Sequence, residues 1–193
     1  ILFAPLAQHV ARRFPRVRVQ FSEGLTEELC GRVLRGALDL ALVTTPQRNE
    51  HLDYVELFTE GVYLIGAPDD PRMRARSFTP GAVATLPLIL PLSEVGRALL
   101  PERPACAFRV DNMIPLKQMV MAGLGYGFLP YSGIHQELAA GTLAAVEIPW
   151  IRARRVLALP RGRPTSRATR EMVAAIKAVS ATLIADGRIR GVT

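Results

Sequence analysis

"VMAGLGYGFLP", residues 120–130, places three glycines, Gly123, Gly125 and Gly127, within five positions. Such a cluster reads either as a loop that cradles a phosphate or as the hand-over from a helix to a strand. A dinucleotide fingerprint needs a strand, then the glycines, then a helix, because the pyrophosphate rests on the free N–H groups of the helix N-terminus. Here the order is reversed. "NMIPLKQMVMA" (112–122) has helical composition and "YGFLP" (126–130) reads as a strand. The spacing also departs from G-x-G-x-x-G. Gly123 is placed to end the helix in the left-handed conformation. Gly125 and Gly127, without a β-carbon, let helix and sheet backbones approach. The stretch therefore predicts a helix-to-strand connection of an α/β fold and no phosphate site.

The pattern extends in both directions. Apolar Leu2, Phe3, Leu6, Val10 and Phe14 recur at helical spacing and Pro15 stops that helix. "VRVQF" (17–21) alternates and is rich in β-branched residues, the pattern of a strand. A helix follows from Thr26, with Leu25, Leu29, Val33 and Leu34 inward and Gly36 as its stop, and then a buried strand, "LDLALVTT" (38–45). Alternating helices and strands imply a parallel sheet with right-handed crossovers. "YVELF" (54–58) and "GVYLIGAP" (61–68) read as two strands joined by a tight turn. A second alternation starts at "LIL" (88–90): a short helix near 95–101, a strand at 106–110, the helix 112–122, a strand at 126–129, a helix at 131–140 and a strand at 143–148. "IPWIRARR" leads back to a strand at 155–160. A last helix, 166–185, carries Met172, Ile176, Val179 and Leu183 as one stripe. The domains expected are 1–67 plus 151–193, and 68–150.

Composition narrows the function. At 193 residues and 49% apolar, the chain supports a packed core rather than disorder. No apolar run approaches a membrane span, and no secretion signal opens the chain. It begins without Met on an amphipathic helix, so residues are expected upstream. Cys30 and Cys106, without staple spacing, fit a reducing cytoplasm. The net charge is +7, with a dense stretch of seven arginines from Arg152 to Arg170 that reads as a solvated face. A single-strand groove would also carry interleaved aromatics.

Catalytic patterns are missing. There is no G-x-S-x-G elbow and no Walker lysine. His9, His51 and His135 lack ligand spacing, and neither cysteine sits in a C-x-x-C pair, so no metal and no cofactor are expected. Glu27 and Glu28 sit in a first helical turn, where the dipole favours them. Cys30 reads as a small core hydrophobe. Nothing assembles into an enzyme's set. The more informative feature is the helix start at Asp111-Asn112-Met113, where free N–H groups face the carboxyl edge of a sheet. Asn112 there reads equally as a plain N-cap.

"RFPRVRVQFSEGLTEELCGRVLRGALDLALV", then "VYLIGAP", then "VMAGLGYGFLP", resembles the effector-binding domain of LysR-type transcriptional regulators, nearly continuously from Phe3 to Ile184. The most specific pieces are G-x-L-D-L-A-L-V (Gly36 to Val43) and A-G-L-G-x-x-x-L-P (Ala122 to Pro130). The resemblance implies a periplasmic-binding-protein-like (type 2) α/β fold: two Rossmann-like subdomains joined by two crossover strands, with a small effector in a cleft between them. It also implies a winged helix-turn-helix that binds DNA and is absent from this chain, and a first strand missing before Ile1. The family's cleft maps onto Thr26, Thr44 and Thr45 on one side and Ser93, Glu94, Asn112 and Met113 on the other. Thr26 also reads as an N-cap, and Thr44 and Thr45 as turn residues before Pro46. This set holds no arginine, and Glu94 favours an amine-bearing or neutral effector. A homodimer or tetramer is implied, with the first helix and Val17–Phe21 against the partner's Leu116–Val120 region and Arg12, Arg13 and Arg16 at the rim. The expected function is effector sensing by a cytoplasmic transcription regulator, with DNA reached only through the absent domain. The alternatives are a two-lobed solute-binding protein of a transport system and a two-lobed enzyme.

Overall fold

The computed structural model describes residues 1–92 and 106–192. The chain packs into two compact units, residues 1–59 with 154–193, and residues 60–153.

The first unit opens with α1 (Phe3–Arg13) and α2 (Thr26–Leu34), followed by β1 (Ala41–Thr44). Two long strands, β2 (Leu52–Gly66) and β6 (Ala144–Pro160), pass from one unit to the other and are neighbours in a sheet. The last helix, α6 (Arg167–Ala185), is capped by Ser166, whose hydroxyl accepts from the Thr169 N–H. Successive residues of β6 point to opposite faces. Leu157 and Leu159 pack with Leu6 and Val10 of α1 and with Ile176, Val179 and Leu183 of α6. Val156 and Ala158 pack with Leu29 and Val33 of α2 and with Val43. Helices thus cover both faces of the sheet. Each fully buried side chain, such as Val33 or Leu157, contributes roughly 1.5–3 kcal/mol.

The second unit holds β2 from Glu60, the short α3 (Pro80–Ala84), and β3 (Leu88–Pro91) parallel to β4 (Cys106–Val110). Next come α4 (Met113–Met121), β5 (Gly127–Pro130) antiparallel to β2, a 3-10 turn at Tyr131–Gly133, and α5 (His135–Ala140). Ile65, Ile89 and Leu129 join Leu116 and Val120 of α4 in one layer. Leu64, Leu88 and Leu90 join Met73, Val83 and Ile148 in the other.

The glycine stretch behaves as its order predicts. Gly123 has φ +74 and closes α4, with Leu124 N–H reaching back to Met119 O at 3.1 Å. A β-carbon on Gly127 would lie 2.7 Å from Leu116 Cδ2, and one on Gly125 only 2.4 Å from Pro87 O. Helix and strand backbones do meet closely there.

Several expectations are corrected. Val17–Phe21 forms no strand: Val17, Val19 and Phe21 are all exposed, and no described strand lies beside them to complete a ladder. β1 pairs with β6 in the antiparallel sense, Ala41 opposite Ala158, so the sheet of this unit is not purely parallel. The two expected strands around Gly61 are one continuous strand, as are the two around Trp150. The chain passes between the units within β2 and β6, at residues 59–60 and 153–154. The helix expected at 131–140 is a 3-10 turn followed by α5. Leu116 and Val120 are buried in their own unit's core, so their side chains are not available to a partner; Met113, Ile114 and Met121 are the exposed apolar residues of that helix. The expected helix at 95–101 lies outside the described residues. Among the described residues no helix is long and apolar enough to cross a membrane.

Candidate functional site

In the first unit the three threonines form one knot at the carboxyl end of β1. The N-cap of α2 is Leu25, without a side-chain bond, so Thr26 is the first helical residue and not the cap. Its hydroxyl donates to Thr44 O at 3.2 Å and accepts from Thr44 N–H at 3.4 Å, tying α2 to the strand end. The Thr44 hydroxyl accepts from the Arg155 guanidinium. Thr45 N–H donates to Arg154 O at 2.7 Å, and its hydroxyl accepts from Arg154 N–H at 3.1 Å. Thr45 also has φ +42, the single non-glycine residue at positive φ among those described. For a β-branched residue that conformation costs on the order of 1–2 kcal/mol. Paired contacts with β6 hold it.

Arg155 changes the electrostatics expected of this corner. Arg155 lies directly across the ladder from Thr44, so both side chains leave the sheet on the same face, and its cation sits on the Thr44 hydroxyl. The set is therefore not free of arginine. Neighbouring Arg154 pairs with Glu56 at 3.6 Å, half exposed, which contributes at most about 1 kcal/mol.

In the second unit Asn112 caps α4, its Oδ1 accepting from Ile114 N–H at 2.8 Å. Pro115, at the third helical position, has no N–H to give. That end of α4 consequently presents the Met113 N–H and the Asn112 amide as donors, beside the exposed Met113 side chain. Ser93 and Glu94 lie outside the described residues.

Two further groups brace this end of the unit. Lys117 of α4 donates to Gly133 O at 3.3 Å and to Glu137 at 2.5 Å. Burial pushes the Glu137 carboxyl up, but the Lys117 ammonium outweighs it and holds it below its usual range. Glu60, fully buried in β2, accepts from Ser132 N–H at 3.2 Å and from its hydroxyl at 2.9 Å. The sequence hid both. Glu60 and Ser132 are 72 positions apart, and "TEG" reads locally as a turn. The "RARR" run that carries Arg154 and Arg155 reads as solvated charge for the same reason.

The Cys30 thiol is pushed up by burial and by Glu27, against a hydrogen bond with Tyr54. Among the described residues no group of three His, Cys, Asp or Glu is placed to hold a metal ion.

The family model described as the LysR substrate binding domain matches residues 1–181. The regulator BbuR of Bordetella bronchiseptica is 32% identical over 148 residues, 72% of this chain and 46% of that protein. MetR of Escherichia coli is 29% identical over 134 residues, 66% of this chain and 42% of that one. Both are named as HTH-type transcriptional regulators. The chain thus spans less than half the length of either. The reduced OxyR regulatory domain of Pseudomonas aeruginosa superposes with a TM-score of 0.75 at 22% identity, covering 92% of this chain and 91% of its own. The MetR regulatory domain of N. meningitidis gives 0.75 at 17%, covering 98% and 90%. These likenesses carry the two-subdomain, periplasmic-binding-protein-like fold. By its sequence match and its architecture, the chain belongs to the LysR substrate binding domain family.

Proposed function

We propose that this chain is the effector-sensing part of a cytoplasmic, homo-oligomeric transcription regulator, not an enzyme. A small metabolite engages the Thr26–Thr44–Thr45 knot and the Asn112–Met113 helix start, and DNA is held by a helix-turn-helix outside this chain. Binding biases the protein toward one of two arrangements by its differential affinity, with a coupling on the order of 1–3 kcal/mol.

The observation that supports the reading is Thr45. A β-branched residue kept at φ +42 by two bonds to Arg154 stores strain at a strand end. Such strain concentrates at ligand sites.

A thermal-shift screen of small metabolites tests this. A ligand at a hundred times its Kd stabilises by about 2.7 kcal/mol. For a protein of this size that is a rise of roughly 5–10 °C. Thr44→Val and Asn112→Ala should each shrink the rise. A full screen without a shift, or a shift that both variants leave intact, would overturn the proposal.

A further inference from the structure

The formal charge is distributed unevenly. Residues 60–153 hold eight basic and eight acidic side chains, and residues 1–59 hold seven of each. Residues 154–193 hold nine basic and two acidic, so the entire excess of +7 resides in the first unit.

Most arginines of that excess are occupied. Arg154 pairs with Glu56 and Arg161 with Asp53, Arg155 bonds Thr44, Arg163 bonds Leu34 O and Arg170 bonds Thr165 O. The unoccupied ones gather where α1 packs against α6. Arg12, Arg13 and Arg188 line a concavity of about 610 Å³ between these helices, and Arg16 and Arg167 line a neighbouring one of about 380 Å³. None of these five guanidinium groups has a hydrogen bond or ion pair among the described residues. The acids on the same concavities are Asp186 and Glu171. Arg12 and Arg13 also complement the C-terminal end of α1, but that end carries only about half a charge. Among the described residues, Arg18, Arg35 and Arg48 are the other arginines of residues 1–59 with no hydrogen bond or ion pair.

From this arrangement we propose that the α1–α6 face of the first unit binds the phosphate backbone of duplex DNA without reading its sequence. The inference goes beyond effector sensing, and beyond the expectation that DNA is reached only through a domain outside this chain. Arginine forks suit phosphate oxygens. Phe14 is the single Phe, Tyr or Trp lining these concavities and it packs against the core, so no run of stacking platforms interleaves the arginines, which favours a duplex over a single strand.

The test is fluorescence anisotropy of a labelled duplex of arbitrary sequence, about 25 base pairs, titrated with this chain across a salt series. Five arginines on phosphates give a slope of log K against log salt of about −4 to −5. The triple variant Arg12→Glu, Arg13→Glu, Arg188→Glu should bind at least tenfold more weakly at low salt and flatten the slope by about 3. The control Arg74→Glu, Arg76→Glu, Arg109→Glu changes net charge equally on exposed residues of the second unit, and should lose less than threefold. Absence of binding by the unaltered chain, or equal losses in the two triple variants, would overturn the proposal. Neither result bears on the metabolite screen, so the two readings fail separately.

Discussion

Replacing the glycines of residues 123–127 one at a time tests whether they serve backbone geometry alone. At Gly123 an added methyl meets nothing within 4 Å, so the cost of Gly123→Ala is the left-handed conformation itself, on the order of 1–2 kcal/mol. At Gly127 it meets Leu116 Cδ2 at 2.7 Å, a side-chain end that moves at some cost, and overpacking of this kind runs about 1–3 kcal/mol. At Gly125 it meets a backbone oxygen, Pro87 O, at 2.4 Å. That oxygen accepts from Tyr126 N–H at 3.0 Å, and the next residues return a bond from Ile89 N–H to Tyr126 O at 2.7 Å. Relief requires moving β3 away from Tyr126, which loosens both bonds. Adding about 1 kcal/mol per bond to the overpacking puts Gly125→Ala at roughly 3–5 kcal/mol. Thermal melts followed by circular dichroism should therefore rank the midpoints wild type, Gly123→Ala, Gly127→Ala, Gly125→Ala, with a fall of about 6–20 °C for the last. If Gly125→Ala melts at or above Gly123→Ala, the close-approach account of this stretch is wrong.

Three further outcomes follow from the same structure. Thr26→Val keeps the shape of the side chain but removes both bonds to Thr44, and should cost about 1–2 kcal/mol in urea denaturation, whereas Thr26→Ser should recover most of it. The raised Cys30 thiol should react with iodoacetamide at pH 7.5 several-fold more slowly than an unfolded peptide cysteine, since the thiolate is the nucleophile. Asp70 is held below its usual range first by the Tyr126 hydroxyl and then by the Arg72 N–H. Its contribution is present above the ordinary carboxylate pKa and is lost as pH falls through the lowered folded value. Tyr126→Phe should therefore reduce the stability difference between neutral and acid pH in denaturant titrations.

The elements legible in the sequence are those whose partners are near in sequence or whose pattern repeats. α2 shows its apolar spacing and its stop at Gly36, and α6 shows its stripe. The order helix, glycines, strand at 112–130 marks α4 and β5 because the helix stop at Gly123 and the approach of Gly127 to Leu116 are both local. What the sequence hides is long-range. Val17–Phe21 has the composition of a strand, but a strand exists only with a ladder beside it. Glu60–Gly61 breaks the apolar alternation and so reads as a turn, yet the strand continues because Ser132 satisfies the carboxylate. The candidate site divides in the same way. Thr44 and Thr45 are marked by their place at the end of an apolar strand. The bonds of Thr26 to Thr44 span 18 residues, and the arrival of Arg154 and Arg155 at that corner depends on pairing across more than a hundred.

Hydrogen-exchange mass spectrometry with a metabolite from the screen tests the central claim most directly. The account predicts that one compound slows exchange both in the peptide holding Thr44–Thr45 and in the peptide holding Asn112–Met113. Protection confined to one of the two, or found only elsewhere, would contradict it.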